Sequence, residues 1–193
     1  MSAATIVKAD DLTEAGEGIY YSRHEIPLVD QTVIDVLKQA ARTNSKRRAR
    51  FCAHPSADAG QHDMLIVSHR ETYVAPHRHF DKSESFLILE GSATIMLFDN
   101  QGSLEKTIAM GPSGSGRPFF YRMPSGQFHS LAIDSELLVF VESTVGPFRA
   151  NESENGSWAP PPDDAVNGRA YIAEVRERAE LAEARTGDLS STS

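Results

Sequence analysis

The feature that most constrains the fold is the hydrophobic pattern from Met64 onwards. Apolar residues occur there in short runs, either alternating with polar residues or apolar throughout, which is typical of β-strands. Turn-forming residues separate several of the runs at Asp99–Gly102, Gly111–Gly114 and Pro124–Gly126. The pattern predicts an all-β domain of about eight short strands, folded as an antiparallel barrel or a double-sheet jelly roll. The predicted strands are Met64–Ser68, Glu71–Ala75, Ser85–Leu89, Ala93–Phe98, Leu104–Ile108, Phe119–Met123, Ser130–Ile133 and Leu137–Val141.

Helical spacing precedes and follows this region. Asp30 can cap a first helix, in which apolar residues recur three and four apart until Thr43–Ser45 ends it. Arg169–Arg185 also has apolar residues at helical spacing, although its apolar stripe is thin. We therefore predict a single domain with extensions. Its parts are an N-terminal arm (1–26), a β-domain with its leading helix (27–160) and a C-terminal tail with the second helix (161–193).

The charge and composition of the chain indicate which partners and which location to expect. Acidic residues outnumber basic ones, 27 against 19, and the formal charge of −8 argues against a surface for the nucleic-acid backbone. The single cysteine, Cys52, cannot form an internal disulfide. Acidic residues interrupt any signal-peptide core, and no apolar stretch approaches the roughly 20 residues of a membrane helix. We expect a cytoplasmic homodimer that binds a small molecule but neither nucleic acid nor membrane.

The most informative segment runs from His77 to Glu84 and is completed by His129. On a strand, residues two apart project from the same face, so His77 and His79 are predicted to point inward while Arg78 points away. A short turn can then return Glu84 to these imidazoles, and a later strand can deliver His129. Three neutral imidazoles and one carboxylate suit a single divalent metal ion and leave room for about one to three oxygen ligands.

Five further residues are candidates for substrate binding. Arg48 and Arg50 share a face if their segment is extended, and the planar arginine fork suits a carboxylate or a phosphate. Tyr73 faces inward if its strand continues unbroken towards His77. Lys82 lies in the turn before Glu84, where it can neutralise an acidic group or remain solvated. Tyr121 is expected mainly to line an aromatic wall, and no residue is assigned as catalytic.

The spacing of the predicted metal ligands resembles the two-part signature of the cupin superfamily. The resemblance implies a double-stranded β-helix, or jelly-roll barrel, that holds one metal ion through the three histidines and the glutamate. The chain departs from the usual pattern at two positions that are not ligands, with Glu71 in place of a glycine and Ile133 in place of an asparagine. The matching pattern is His77-x-His79, four residues, Glu84, six residues and Gly91, then Pro124-x-Gly126-x-x-His129.

Further short motifs are distributed over residues 27–160. They are Arg48-Ala-Arg50, His54-Pro-Ser56, Asp58, Tyr73-Val-x-Pro-His77-Arg-His79, Lys82-x-Glu84, Leu97-Phe-Asp99, Pro124-x-Gly126-x-x-His129 and Trp158-Ala-Pro160. Together they resemble the WbuC family of cupin-fold metalloproteins. This resemblance implies a metal-binding cupin of the kind often encoded beside surface-polysaccharide genes, and it inclines the expected ligand towards a sugar, sugar nucleotide or sugar acid. It implies a metal site more firmly than an activity.

Three functional hypotheses follow from these patterns. The favoured one is a metal-dependent enzyme, either a dioxygenase-like oxidoreductase or an isomerase or lyase, acting on a sugar-related or other oxygen-rich metabolite. Fe(II) is favoured if the chain is an oxygenase, whereas Zn, Mn, Ni and Cu remain open otherwise. The alternative is a non-catalytic module that binds a metal and a ligand. A metal-free sugar epimerase that uses a His and Tyr pair fits the four predicted ligands less well.

Overall fold

The structure is a computed structural model that describes residues 4–190, and this part of the chain is mostly β with two α-helices. The helices are α1 (Gln31–Thr43) and α2 (Ala165–Ser190), and short 3-10 turns lie at Ala9–Asp11 and Ala150–Glu152. The strands are β1 (Thr5–Ile6), β2 (Leu12–Gly16), β3 (Ile19–Ser22), β4 (Pro27–Leu28), β5 (Arg48–Cys52), β6 (Gln61–His69), β7 (His77–His79), β8 (Glu84–Glu90), β9 (Ala93–Phe98), β10 (Leu104–Met110), β11 (Phe120–Met123), β12 (Phe128–Ile133), β13 (Leu137–Val145) and β14 (Ser153–Asn155).

Helix α1 begins and ends where the sequence predicted. The Asp30 side chain accepts a hydrogen bond from the backbone N–H of Thr32 at 2.9 Å, which caps the first turn. Val33, Leu37 and Ala41 recur at helical spacing and are fully buried. They pack on one face of the sheet that contains β5 and β6. The helix therefore covers the outer side of that sheet and leaves its inner side free to form the core.

Two sheets face each other across the main hydrophobic core. One has five strands in the order β10-β9-β12-β7-β14, and the other has seven in the order β11-β8-β13-β6-β5-β3-β2. Ile95 and Ile133 from the first sheet pack with Ile66, Phe86 and Phe140 from the second. The two sheets are hydrogen-bonded separately, and the short β1 and β4 pair apart from both. The architecture is thus a double-sheet sandwich, and the prediction of a mostly β fold is confirmed.

The C-terminal segment covers the outer face of the five-stranded sheet. Trp158 packs on Phe98 and Phe128, with ring centroids 5.1 and 5.8 Å apart respectively. Ile172 and Val175 of α2 join the same cluster. The predicted second helix is confirmed, and its thin apolar stripe suffices because Trp158 supplies part of the packing. No helix within residues 4–190 is both long and apolar enough to cross a membrane.

The predicted strand Glu71–Ala75 is wrong. This segment is irregular, and strand structure resumes only at His77. Pro76 lacks the backbone N–H that a ladder position needs, and Thr72 instead donates its hydroxyl to the Arg47 carbonyl at 2.6 Å. The N-terminal segment, in turn, adds strands that were not predicted, because β3 pairs in parallel with β5 and β2 extends the sheet further.

Candidate metal centre

Both sheets contribute to the candidate metal centre. Strand β7 holds His77 and His79, and its neighbour β12 places His129 directly opposite His77 in the ladder. Glu84 opens β8 in the facing sheet. Three imidazoles therefore project from one sheet towards a carboxylate on the other. Period two aims both β7 histidines inward, whereas Arg78 points outward, stacks on Phe128 and binds Glu154 at 2.6 Å, as the sequence predicted.

The four side chains converge at short distances. Donor nitrogens of His77, His79 and His129 lie within 4.8 Å of one another, so the three imidazoles can hold a metal ion. Glu84 brings Oε1 to 2.9 Å from Nε2 of His129 and Oε2 to 3.3 Å from Nε2 of His79. Glu84 and His129 are only 6% and 3% exposed, so a charge placed here is shielded from bulk water.

The outer nitrogen of each imidazole is already engaged, which orients the inner one. Nδ1 of His77 donates to the Ala75 carbonyl at 2.9 Å, and Nδ1 of His129 donates to the Gln127 carbonyl at 2.9 Å. Nδ1 of His79 is hydrogen-bonded to Ser153 Oγ at 2.7 Å. Because a carbonyl can only accept, His77 and His129 in their neutral forms carry a lone pair on Nε2. Nε2 of His129 is buried and faces the Glu84 carboxylate, 2.9 Å away.

Burial and the Glu84 carboxylate shift the pKa values of His77 and His129 in opposite directions. Burial, aided by the neighbouring His129, lowers the pKa of His77 to about 4, so this imidazole is neutral at pH 7. Burial alone would lower the pKa of His129, but the close Glu84 carboxylate outweighs it and raises that pKa. Burial likewise opposes ionisation of Glu84, yet His129 and His79 hold its pKa below the usual value. Without metal, the Glu84 carboxylate therefore favours the protonated form of His129.

Metal binding should release this proton. As pH falls through the raised pKa of His129, Nε2 becomes protonated and a metal must displace the proton, so apparent affinity falls. His77 contributes no such competition until the pH approaches its value of about 4. Calorimetry of Zn²⁺ binding in buffers of different protonation enthalpy should show more proton release at about pH 6 than at about pH 8.5. Equal release at both pH values would contradict the assignment of the proton to His129.

Ser153 positions the second histidine from the C-terminal segment. It lies on β14, directly opposite His79 in the ladder, and its hydroxyl fixes Nδ1 of that imidazole. Ser153→Ala is expected to weaken zinc binding about 10–100-fold, measured by competition with a chromophoric chelator. Ser143→Ala is the matched control, because this hydroxyl donates to Asp63 at 2.6 Å and contacts none of the three histidines. Equal affinities for the two variants would show that Ser153 has no such role.

The centre opens into a cavity of about 230 Å³ between the sheets. Of the predicted substrate-binding residues, Arg48, Arg50, Lys82 and Tyr121 line this cavity. The Tyr121 ring stacks on Phe86 with centroids 5.1 Å apart, which fits its predicted place in an aromatic wall. The fifth candidate does not reach the cavity, and its placement corrects the prediction.

Tyr73 lies on the outer side of the five-stranded sheet. Its hydroxyl donates to the Pro160 carbonyl at 2.7 Å, and its ring packs with α2, where a methyl group on Gly168 would overlap it. The inward orientation required an unbroken strand through residues 71–76, and the irregular path of that segment turns the side chain outward. Burial raises the pKa of Tyr73 to about 12, which suits a structural phenol.

Three residues that line the cavity were not among the predicted substrate-binding residues. Glu142 lies on the same side of β13 as Phe140, and both line the cavity. Had the predicted strand Leu137–Val141 been extended by one residue, the two-residue period of a strand would have placed the Glu142 carboxylate on the cavity side with Phe140. His54 and His62 also line the cavity and stack with ring centroids 4.0 Å apart, but no pattern in the irregular segment between them signals this contact.

Comparisons with known proteins give the chain a partial family match and distant structural relatives. A family model described as a domain of unknown function, DUF6016, matches residues 29–110. No curated protein sequence matches the chain.

Three solved structures illustrate how distant the structural similarity is. A Shewanella oneidensis protein shares 16% identity with a TM-score of 0.48, over 63% of this chain and 82% of its own. Oxalate decarboxylase of Bacillus subtilis shares 20% identity with a TM-score of 0.41, over 50% of this chain and 24% of its own. The capsular polysaccharide assembling protein CapF of Staphylococcus aureus shares 17% identity with a TM-score of 0.45, over 58% of this chain and 32% of its own. The chemistry of the centre rests on its own residues.

Proposed function

We propose that this chain is a metal-dependent cupin that binds one divalent ion through His77, His79, Glu84 and His129. The observation that supports this most strongly is the convergence of three imidazoles, each with its Nδ1 hydrogen-bonded, on one buried carboxylate inside a cavity. Burying the Glu84 carboxylate between two sheets costs free energy unless positive charge compensates it, and a divalent ion held by the three imidazoles would supply that charge. The two-part spacing of the ligands supports the cupin assignment.

We further propose that the protein is an enzyme acting on a small, oxygen-rich metabolite, with a sugar-related compound as the first candidate. A bound ion would polarise a substrate oxygen as a Lewis acid or, if it is Fe(II), support chemistry with O₂. The chain itself supplies the enclosure. Phe86, Phe140 and Tyr121 form apolar walls, and Glu142 and Lys82 place charged groups in the same space. Burial raises the pKa of Glu142, which favours a carboxyl able to hold and return a proton.

Anaerobic purification followed by elemental analysis tests the proposal most directly. Metal-free protein would then be reloaded with Fe(II), Zn²⁺ or Mn²⁺ and screened against sugar nucleotides, sugar acids and keto acids while O₂ is monitored. Uptake of O₂ with Fe(II) alone would support an oxygenase, and anaerobic turnover with Zn²⁺ or Mn²⁺ would support an isomerase or lyase. Stoichiometric metal that stabilises the fold without any turnover would favour the binding module instead. Failure to bind any of these ions would overturn the proposal.

A further inference from the structure

Strand β5 directs two arginines into the space between the sheets. Ala49 and Phe51 face the opposite way, are 1% and 0% exposed, and pack under α1. By the two-residue period of a strand, Arg48, Arg50 and Cys52 face the cavity, and all three line it. Neighbouring guanidinium groups repel each other, and taking them out of water is costly, so this placement needs a compensating partner.

The described chain supplies little compensation for these guanidinium groups. Other arginines are paired with carboxylates, as Arg78 is with Glu154 at 2.6 Å and Arg176 with Asp134 at 2.9 Å. Among the residues whose side chains the structure describes, neither Arg48 nor Arg50 forms such an ion pair with a carboxylate. Nε of Arg50 is buried without a hydrogen-bond partner. Burial lowers the pKa of Arg48, and the charges of the Glu142 and Glu84 carboxylates, which line the same cavity, oppose that effect.

The cavity as a whole has an excess of positive charge. Arg48, Arg50 and Lys82 supply three cations, whereas Glu84 and Glu142 supply at most two anions. The Glu84 carboxylate already contacts the imidazoles of His129 and His79, so it is not free to pair with the arginines. Lys82 is only 8% exposed, and its ammonium group lies 5.8 Å from the centroid of the Phe148 ring. A divalent ion at the centre would add two further positive charges, so the cavity is electrostatically suited to an anion.

We propose that Arg48 and Arg50 form an oxyanion subsite, so that the ligand of the metal centre carries a carboxylate or phosphate group. This inference rests on the proposed function and narrows it, because it names the chemical class of the ligand. The anionic group binds the fork of Arg50 and the neighbouring guanidinium of Arg48, and the rest of the ligand extends through the cavity towards the centre. Neutral sugars lack the group that these residues bind.

Calorimetry with simple anions tests the subsite without knowledge of the natural ligand. Inorganic phosphate and malonate would be titrated separately into the metal-free full chain at fixed ionic strength, since salt screens charge interactions. The two titrations distinguish a phosphate from a carboxylate preference. Saturable binding of either anion at one site is expected. Binding of neither anion would overturn the inference.

Substitutions locate the anion on β5. Arg50→Gln should weaken binding about tenfold or more, and Arg50→Lys should weaken it less, because it keeps the charge but loses the fork. Arg42→Gln is the control, since it removes an equal charge from the surface of α1, where Arg42 pairs with Glu136 at 3.1 Å. Equal effects of Arg50→Gln and Arg42→Gln would show that only net charge matters and would overturn the inference.

Zinc content distinguishes a failure of the proposed metal function from a failure of the proposed anion subsite. Arg50→Lys should retain the parent zinc stoichiometry, because Arg50 is not among the four proposed ligands. If wild-type protein binds an anion but no metal, the proposed metal function fails and the subsite stands. If it binds stoichiometric zinc but neither anion, only the subsite fails.

Discussion

Glu84→Gln is expected to leave the anaerobically purified protein with well under half of the parent's metal content. The amide keeps the shape of the carboxylate but loses its charge, and three neutral imidazoles alone would leave the ion's two positive charges uncompensated between the sheets. His77→Ala should have a comparable effect, because it removes one of the three imidazoles that converge within 4.8 Å. Elemental analysis per mole of protein measures both losses, and far-UV circular dichroism checks that the sheets persist.

Glu90→Gln is the matched control for this loss. It makes the same chemical change on the same strand, but Glu90 binds Lys38 at 2.6 Å and faces away from the histidines. Its metal content should equal that of the parent. If Glu84→Gln and His77→Ala both retained stoichiometric metal, the assignment of the ligands would be refuted.

Much of the centre follows from local rules, which explains why the sequence could predict it. The strand period alone places His77 and His79 on one face and Arg78 on the other, and the structure agrees. Helix α1 was predicted for the same reason, because its cap, Asp30, directly precedes the 13 residues that carry its buried stripe. In each case the relevant geometry is set by neighbours a few positions apart.

The failures involve contacts that depend on the path of irregular segments of the chain. Tyr73 binds the carbonyl of Pro160, 87 positions away, and no pattern around Tyr73 reports that partner. The stacking of His54 on His62 depends on how the chain returns into β6. Glu142 differs from these, because strand period would have placed it in the cavity had the predicted strand been extended to its true end at Val145.

Gly91→Ala should be among the most destabilising single-methyl additions in the chain. This glycine closes the hairpin between β8 and β9 with φ of 82°, in the left-handed region that side chains disfavour. A Cβ atom there would lie 2.3 Å from the carbonyl oxygen of Leu137 and 2.4 Å from Oγ of Ser135, so the backbone of β13 would have to move. We expect a loss of about 2–4 kcal/mol in the free energy of unfolding, measured by urea denaturation.

Gly114→Ala isolates the conformational part of this effect. Gly114 has a similar φ of 85°, but an added Cβ atom would meet nothing within 4 Å. Its substitution should therefore cost only the backbone strain, about 1 kcal/mol. The difference between the two variants measures the overlap with Leu137 and Ser135. Equal losses would mean that β13 accommodates the methyl group freely, and the glycine of the Glu84–Gly91 motif would then be explained by its backbone conformation alone.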